Sequence, residues 1–336
     1  MKKIGVLGAG SWAIALTKLL ANNNHQLVVW SISQDEVEML NEHRENIDKL
    51  PGVKLPSNVS FTTDIKSAIV GMDIVLMAVP SMFVRSTAKS AAPYIENNQL
   101  IVNVAKGIEE ETYYTMIQVI KDEIPKADVA VLSGPSHAEE VGKGIPTTVV
   151  AGATKKETAE YIQNIFMNES FRVYTSPDVL GIQLGGSLKN VIALAAGMAD
   201  GLGYGDNTKA ALITRGISEI SDLGMKMGAK SETLNGLSGI GDLIVTCASR
   251  HSRNRKAGML IGQGYSVHDA MQEVNMVVEG YYCAKAAVAL GKKYNATLPI
   301  IEEVGHVLFD GLSAKDAVNN LMLRDKKAEH STLTWE

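Results

Sequence analysis

The sequence predicts an α/β protein in two parts, a parallel sheet covered by helices followed by an all-helical region. Three observations lead there. Short β-rich runs alternate with longer helical patterns through the first half, as in consecutive βαβ units. A glycine turn at residues 8–13, reading GAGSWA, joins the first such run to the first helical pattern. After Pro177 the strand-like runs stop and amphipathic segments continue to the end. At 336 residues the chain is roughly twice a typical domain, so the expected division is 1–176 and 177–336.

The strands are expected at 3–7, 26–30, 59–62, 73–78, 99–104, 128–132, 147–152 and 171–175. Helical patterns fall between them at 11–22, 35–46, 84–92, 112–123 and 155–166. Asp35 and Thr112 stand where N-caps belong, and Pro125 follows the pattern that ends near Glu123. In the second part, helices are expected at 177–199, 208–226, 253–262, 267–273, 280–294, 299–309 and 313–321, several of them joined by glycine-rich connections.

Composition bounds the function. A net charge of −5 argues against a general nucleic-acid or membrane-surface role, so any phosphate recognition must be local. The two cysteines, Cys247 and Cys283, lie far apart without a partner motif, which suggests neither a disulfide framework nor a metal site and fits a reducing compartment. Met1-Lys2-Lys3 runs straight into Ile4 to Leu7 and the glycine turn, leaving no signal-peptide hydrophobic region. No uninterrupted apolar run reaches the roughly 18 residues of a membrane span, so a cytoplasmic protein is expected.

The glycine turn has the context of a Rossmann-type dinucleotide site, after a strand and at the start of a helix. Gly8 permits the tight turn, Gly10 lets backbone approach a pyrophosphate, and the helix N-terminus at Ser11 and Trp12 supplies amide donors. Ala13 takes the third glycine's place. At the end of the second strand stand Trp30, Ser31, Ile32 and Ser33, with neither the acidic residue that holds a ribose diol nor the arginine that holds a 2′-phosphate. The two serines can donate hydrogen bonds to either group. NAD(H) and NADP(H) are therefore both expected to serve, with kcat/KM values within about thirtyfold, provided that no distant cation such as Arg44 swings in.

In the helical part, residues 181, 185, 189, 193 and 197 form one i to i+4 row reading Gly, Gly, Lys, Ala, Gly. That stripe serves close helix packing, or it lets a ligand approach and partly desolvates Lys189, lowering its pKa toward an acid/base range. Lys106 follows an apolar strand at the carboxyl edge of the sheet, where open α/β folds bind ligands, although a solvated turn lysine reads the same way. Arg250, Arg253, Arg255 and Lys256 crowd four cations into seven residues, a solvated face or, in an acidic chain, a small phosphate site.

The segments GAGSWA, VAKGIEEET (104–112), LSGPSHAEEV (132–141), LGGSLKNVIALAAGMADGLGYGDNTKAAL, GIGDLIVTC (239–247), SRNRKAG (252–258) and VVEGYYCAK (277–285) occur in order and cover about a quarter of the residues. Together they resemble the bacterial NAD(P)-dependent glycerol-3-phosphate dehydrogenase family. The resemblance implies a Rossmann domain followed by a helical substrate domain like the C-terminal domain of 6-phosphogluconate dehydrogenase. It implies reversible NAD(P)H-dependent reduction of dihydroxyacetone phosphate to sn-glycerol 3-phosphate for glycerophospholipid synthesis. Lys189 is implied as proton donor and acceptor, with Lys106 and Asp242 completing the catalytic set. Substrate contacts are implied at Lys106, Gly134, Ser136, Lys189, Asn190, Asp242, Ser252, Arg253 and Asn254. Cofactor contacts are implied at Gly8, Gly10, Ser11, Trp12, Ser33, Lys106, Ala138, Arg253, Val277 and Glu279. No metal, nucleic-acid or membrane partner is expected, and a homodimer is compatible with the resemblance.

Two positions depart from the family pattern. Ile32 and Ser33 stand where the family often carries an arginine, and His137 replaces a more usual apolar residue, as either a packed histidine or a second titrating group. Two other readings stay open. A reductase of the same architecture acting on a β-hydroxy acid or a ketopantoate-like substrate would need a carboxylate clamp, and a dinucleotide-sensing regulator would bind without turnover.

Overall fold

The computed structural model describes residues 1–326, 328 and 329. Among them, eight strands form one sheet: β1 (Lys3–Leu7), β2 (Gln26–Trp30), β3 (Val59–Thr62), β4 (Ile74–Met77), β5 (Leu100–Asn103), β6 (Asp128–Ser133), β7 (Thr147–Gly152) and β8 (Phe171–Ser176). Their order is β3-β2-β1-β4-β5-β6-β7-β8. Helices α1 (Ser11–Asn22), α2 (Gln34–His43), α3 (Val84–Ala91), α4 (Met116–Glu123), α5 (Ala138–Val141) and α6 (Lys156–Phe166) connect them. The central strands β4 and β5 are buried throughout because hydrophobic clusters cover both faces of the sheet, as βαβ crossovers require.

The sheet is not wholly parallel, because β6 and β7 pair antiparallel. A parallel return needs a crossover long enough for a full helix, and the connection after β6 carries only the one-turn α5. Two expected caps also move. Ser33 caps α2, accepting from the Glu36 amide at 3.3 Å, and Thr115 forms a capping box with Gln118 on α4. Asp35 instead lies in the first turn of α2, and Thr112 sits in the turn ahead of α4. A cap needs extended backbone with its oxygen facing the helix amides, and Ser33 and Thr115 have that backbone.

The second part holds α7 (Val179–Gly201), α8 (Asp206–Lys226), α9 (Ser231–Leu234), α10 (Asp242–Ala248), α11 (Arg253–Gly262), α12 (Val267–Val274), α13 (Glu279–Tyr294), α14 (Pro299–Phe309) and α15 (Ala314–Met322). A five-residue π-helical turn, Leu237–Gly241, leads into α10. Helix α7 is the axis of this part. By length and composition it could cross a membrane, but 89% of its apolar window is buried inside the fold.

The small residues of α7 serve close packing. A Cβ on Gly185 would lie 2.5 Å from the carbonyl oxygen of Ser238, and one on Gly197 would fall inside the van der Waals envelope of the Arg255 carbonyl oxygen. The stripe is thus covered by protein backbone at both positions, not open to a ligand. Replacing Gly197 with alanine should therefore force α7 and α11 apart. Overpacking of this kind costs typically about 1–3 kcal/mol. Gly197→Ala is expected to lower the thermal unfolding midpoint by several degrees, and an unchanged midpoint would contradict this account of the helix contact.

Candidate functional site

Three segments, widely separated in sequence, converge on one carboxylate. Asp242 opens α10 and is 1% exposed. Its Oδ2 accepts a hydrogen bond from Lys106 Nζ at 2.6 Å, and its Oδ1 accepts from Lys189 Nζ. Lys106 stands just beyond β5 and also donates to the Gly134 carbonyl at 3.0 Å, in the turn after β6. Lys189, in the middle of α7, also donates to Thr246 Oγ1 at 2.7 Å. Thr246 donates its own proton to the Asp242 carbonyl at 2.6 Å, so its lone pairs face the ammonium.

Gly185 is part of the reason Asp242 meets Lys189. Its missing side chain lets the backbone at Ser238 and Gly239 rest on α7, and the π-helical turn then delivers Asp242 one helical turn along from Gly185. The cluster holds two cations against one anion. Burial drives the Lys189 pKa down to about 7; Asp242 pulls it up and Lys106 pushes it further down. Burial alone would raise Asp242, but the two lysines outweigh it and hold its carboxyl below the usual range. An amine that gains and loses its proton near neutrality can act as acid in one direction and base in the other.

Around this centre lie other expected residues. Asn254 donates to Asn190 Oδ1 at 3.0 Å and accepts from the Gly280 amide at 2.8 Å, tying α7, α11 and α13 together. Ser252 caps α11, Ser136 Oγ donates to the Gly134 carbonyl at 2.9 Å, and Arg253 is half-buried at the start of α11. Glu279 accepts from the Ser81 amide at 3.0 Å and from its hydroxyl, bridging α13 to the segment after β4. Burial raises the Glu279 pKa, and the charge of Arg253 opposes that rise. Val277 does not join the lysines; it lines a groove with Met271, Met276 and Tyr282.

The four-cation run does not form one patch. Arg255 binds Asp200 at 2.6 Å and Lys256 reaches the Glu273 carbonyl, because successive residues of a helix face different directions, and Arg250 is exposed in the turn before α11. Arg253 is the member left beside Glu279. His137 lies at the start of α5 with its ring 5.9 Å from that of His251, and its buried Nε2 lacks a hydrogen-bond partner. Burial first, and then the Lys189 charge, lower its pKa.

The glycine turn fits a dinucleotide pyrophosphate. Gly8 has φ +116°, a conformation open to glycine, and a Cβ there would lie 3.0 Å from the backbone of Ala78. A Cβ on Gly10 would meet nothing within 4 Å, and no side chain caps the first-turn amides of α1. Trp12 Nε1 is buried without a partner beside them, and Ala138 is buried in α5, which packs on α1.

The sequence reading missed three residues. Thr246 lies one helical turn beyond Asp242 and would have followed from recognising α10. Ser81 gave no signal. Glu36 is three residues after its cap Ser33, a capping-box spacing, but its side chain turns away from the helix and accepts from Ser31 Oγ at 2.5 Å.

Comparison with known proteins covers both parts of the chain. The model for the N-terminus of NAD-dependent glycerol-3-phosphate dehydrogenase matches residues 3–159, and that for its C-terminus matches 178–319. A glycerol-3-phosphate dehydrogenase [NAD(P)+] of Agathobacter rectalis is 66% identical over the full length of both chains. One from Fusobacterium nucleatum is 59% identical over 98% of this chain and 99% of its own. The crystal structure of glycerol-3-phosphate dehydrogenase from Coxiella burnetii superimposes with a TM-score of 0.93 at 34% identity, covering 96% of this chain and 99% of that one.

The hydrogen bond from Lys189 to Thr246 yields a test that needs no ligand. Thr246→Val leaves a buried ammonium short of one acceptor, a loss of about 1–3 kcal/mol. Lys189 is protonated in the fold below about pH 7 and neutral above it. The variant's loss of unfolding free energy in denaturant titrations should thus be larger at pH 6 than at pH 9. An equal loss at both pH values would show that the bond does not depend on the charge of Lys189.

Proposed function

The chain belongs to the NAD-dependent glycerol-3-phosphate dehydrogenase family, and from that premise we propose that its buried lysine–aspartate–lysine cluster is the centre of that reaction. The protein is an oxidoreductase that reduces dihydroxyacetone phosphate to sn-glycerol 3-phosphate with NAD(P)H. The observation that carries the assignment of the centre is the convergence of Lys106 and Lys189 on the two oxygens of Asp242.

The reduced nicotinamide, when bound, supplies the hydride that turns the C2 ketone into an alcohol. Lys189 donates the proton that the C2 oxygen needs, and in the reverse direction it accepts that proton. Asp242 sets its proton affinity and its direction, and Lys106 holds the substrate beside it. The two lysines and one aspartate leave a net positive charge where negative charge develops on oxygen. Arg253 and the amide end of α11, with Ser252 and Asn254, bind the phosphate. Gly134, Ser136 and Asn190 complete the substrate pocket. Gly8, Gly10, Ser11, Trp12, Ser33, Ala138, Val277 and Glu279 hold the dinucleotide. The division falls at 176/177, between the last strand and α7. We assign the product to glycerophospholipid synthesis and the protein to the cytoplasm, without nucleic-acid or membrane partners and with a homodimer as the assembly to test.

Steady-state kinetics with dihydroxyacetone phosphate test the assignment. Lys189→Ala is expected to abolish turnover while cofactor affinity stays near wild type, since proton transfer contributes roughly a hundred- to ten-thousand-fold. More than about a tenth of the wild-type kcat would contradict the role.

Arg253→Ala should lower kcat/KM for dihydroxyacetone phosphate by tenfold or more, given about 1.5–3 kcal/mol for a charge-assisted bond. Its effect on unphosphorylated dihydroxyacetone should be small. Equal losses for both ketones would mean that Arg253 serves the cofactor or the fold.

A further inference from the structure

Glu36 lies outside every group of residues assigned above, yet it is drawn into the corner of the sheet where the adenosine ribose of a dinucleotide rests. Its side chain is 11% exposed. Its Oε2 accepts from Ser31 Oγ at 2.5 Å, in the residue that directly follows β2. Its Oε1 accepts from Asn46 at 2.8 Å and from Lys49 at 2.6 Å. The second proton of the Asn46 amide goes to the carbonyl of Ala9 at 2.9 Å, inside the glycine turn itself. One carboxylate is therefore bonded to the end of the second strand and, through a fully buried asparagine, to the phosphate-binding loop. In Rossmann-type sites these two segments flank the ribose that carries either a 2′-hydroxyl or a 2′-phosphate.

The network also engages the Ser31 proton and the cations on which a 2′-phosphate would draw. Ser31 gives its only proton to Glu36 and accepts from the Ser33 amide at 3.2 Å, so it has no proton left to donate to a ligand. Ser33 accepts from the Glu36 amide as helix cap and keeps its own proton, so it is the one hydroxyl of residues 31–33 still free to donate to either ribose group. The cations of the segment after α2 are committed as well. Lys49 is paired with Glu36, Lys54 with Glu45 at 2.7 Å, and Arg44 lies over the Phe61 ring and donates to the Val59 carbonyl at 2.9 Å. Arg44 therefore does not supply the missing cation. A neutral ribose diol meets a carboxylate with a free lone pair on Oε2, whereas a phosphate brings up to two negative charges beside that carboxylate, and the lysine that would offset them is already bonded to it.

We propose that Glu36, held by Ser31, Asn46 and Lys49, is the residue that discriminates between the cofactors and makes this enzyme prefer NADH to NADPH. The proposal narrows the dual acceptance expected from residues 31–33, and it rests on the reading of the glycine turn as the dinucleotide site.

Direct binding of NADH and NADPH to the full chain, followed by nicotinamide fluorescence at fixed ionic strength, tests it without turnover. NADH is expected to bind at least tenfold more tightly. Glu36→Gln, which keeps the shape and removes the charge, should narrow that ratio at least threefold, whereas Ser31→Ala, which keeps the charge, should leave NADH the tighter ligand. Equal or tighter binding of NADPH by the wild type would overturn the proposal, as would a ratio unmoved in a Glu36→Gln protein that still binds NADH. Failure of both dinucleotides to bind would instead overturn the reading of the glycine turn.

Discussion

One buried carboxylate between two ammonium groups is the constraint on which the rest of the site depends. Charges removed from water are expensive unless each is paired and hydrogen-bonded, and a cluster of two lysines and one aspartate cannot be balanced by pairing alone. The excess charge is tolerated because each lysine has a second acceptor besides Asp242, the Gly134 carbonyl for Lys106 and Thr246 for Lys189. Burial lowers the proton affinity of Lys189 toward neutrality, and the charge of Lys106 lowers it further against the pull of Asp242. Structure and chemistry thus make the same demand on Asp242, whose loss would strand both lysines.

That demand reaches into both parts of the chain. Lys106 comes from the carboxyl edge of the sheet, Lys189 from the central helix, and Asp242 from a helix led in by the π-helical turn that rests on Gly185. A chain without glycine at position 185 would hold that backbone further off and move the carboxylate. The same close approach recurs at Gly197, where α11 rests on α7 and Asn254 bonds to Asn190, the neighbour of Lys189. The glycine stripe therefore works through backbone packing, with protein backbone resting where a ligand would otherwise approach.

Much of this was legible in the sequence, and the reasons differ by element. The strands stood out because the central ones, β4 and β5, are short apolar runs buried on both faces, and outer ones such as β3 and β8 alternate apolar with polar residues. Helices α7 to α15 stood out where they were long and amphipathic. The short helix α10 did not, because seven residues after a glycine-rich turn carry too little periodicity, so Thr246 went unseen beside Asp242. Lys189, Lys106 and Asp242 were reached through resemblance, since a lysine in a stripe of small residues has two readings that only packing separates. The antiparallel β7 follows from the short α5 connection, which the strand pattern does not record. Glu36 was hidden for another reason. Its spacing from Ser33 marks a capping residue, and only the fold reveals that its side chain turns to Ser31 and Asn46 instead.

Carbon-13 NMR of ε-labelled lysine, with Lys189 identified by substitution, measures the proton affinity of the central group directly. Lys189 should titrate near pH 7, far below the ordinary lysine range around 10.4. Because Asp242 raises that affinity, Asp242→Asn should move the titration to still lower pH. A Lys189 that titrates like an exposed lysine, or one whose titration does not respond to Asp242→Asn, would contradict the account of a shared carboxylate.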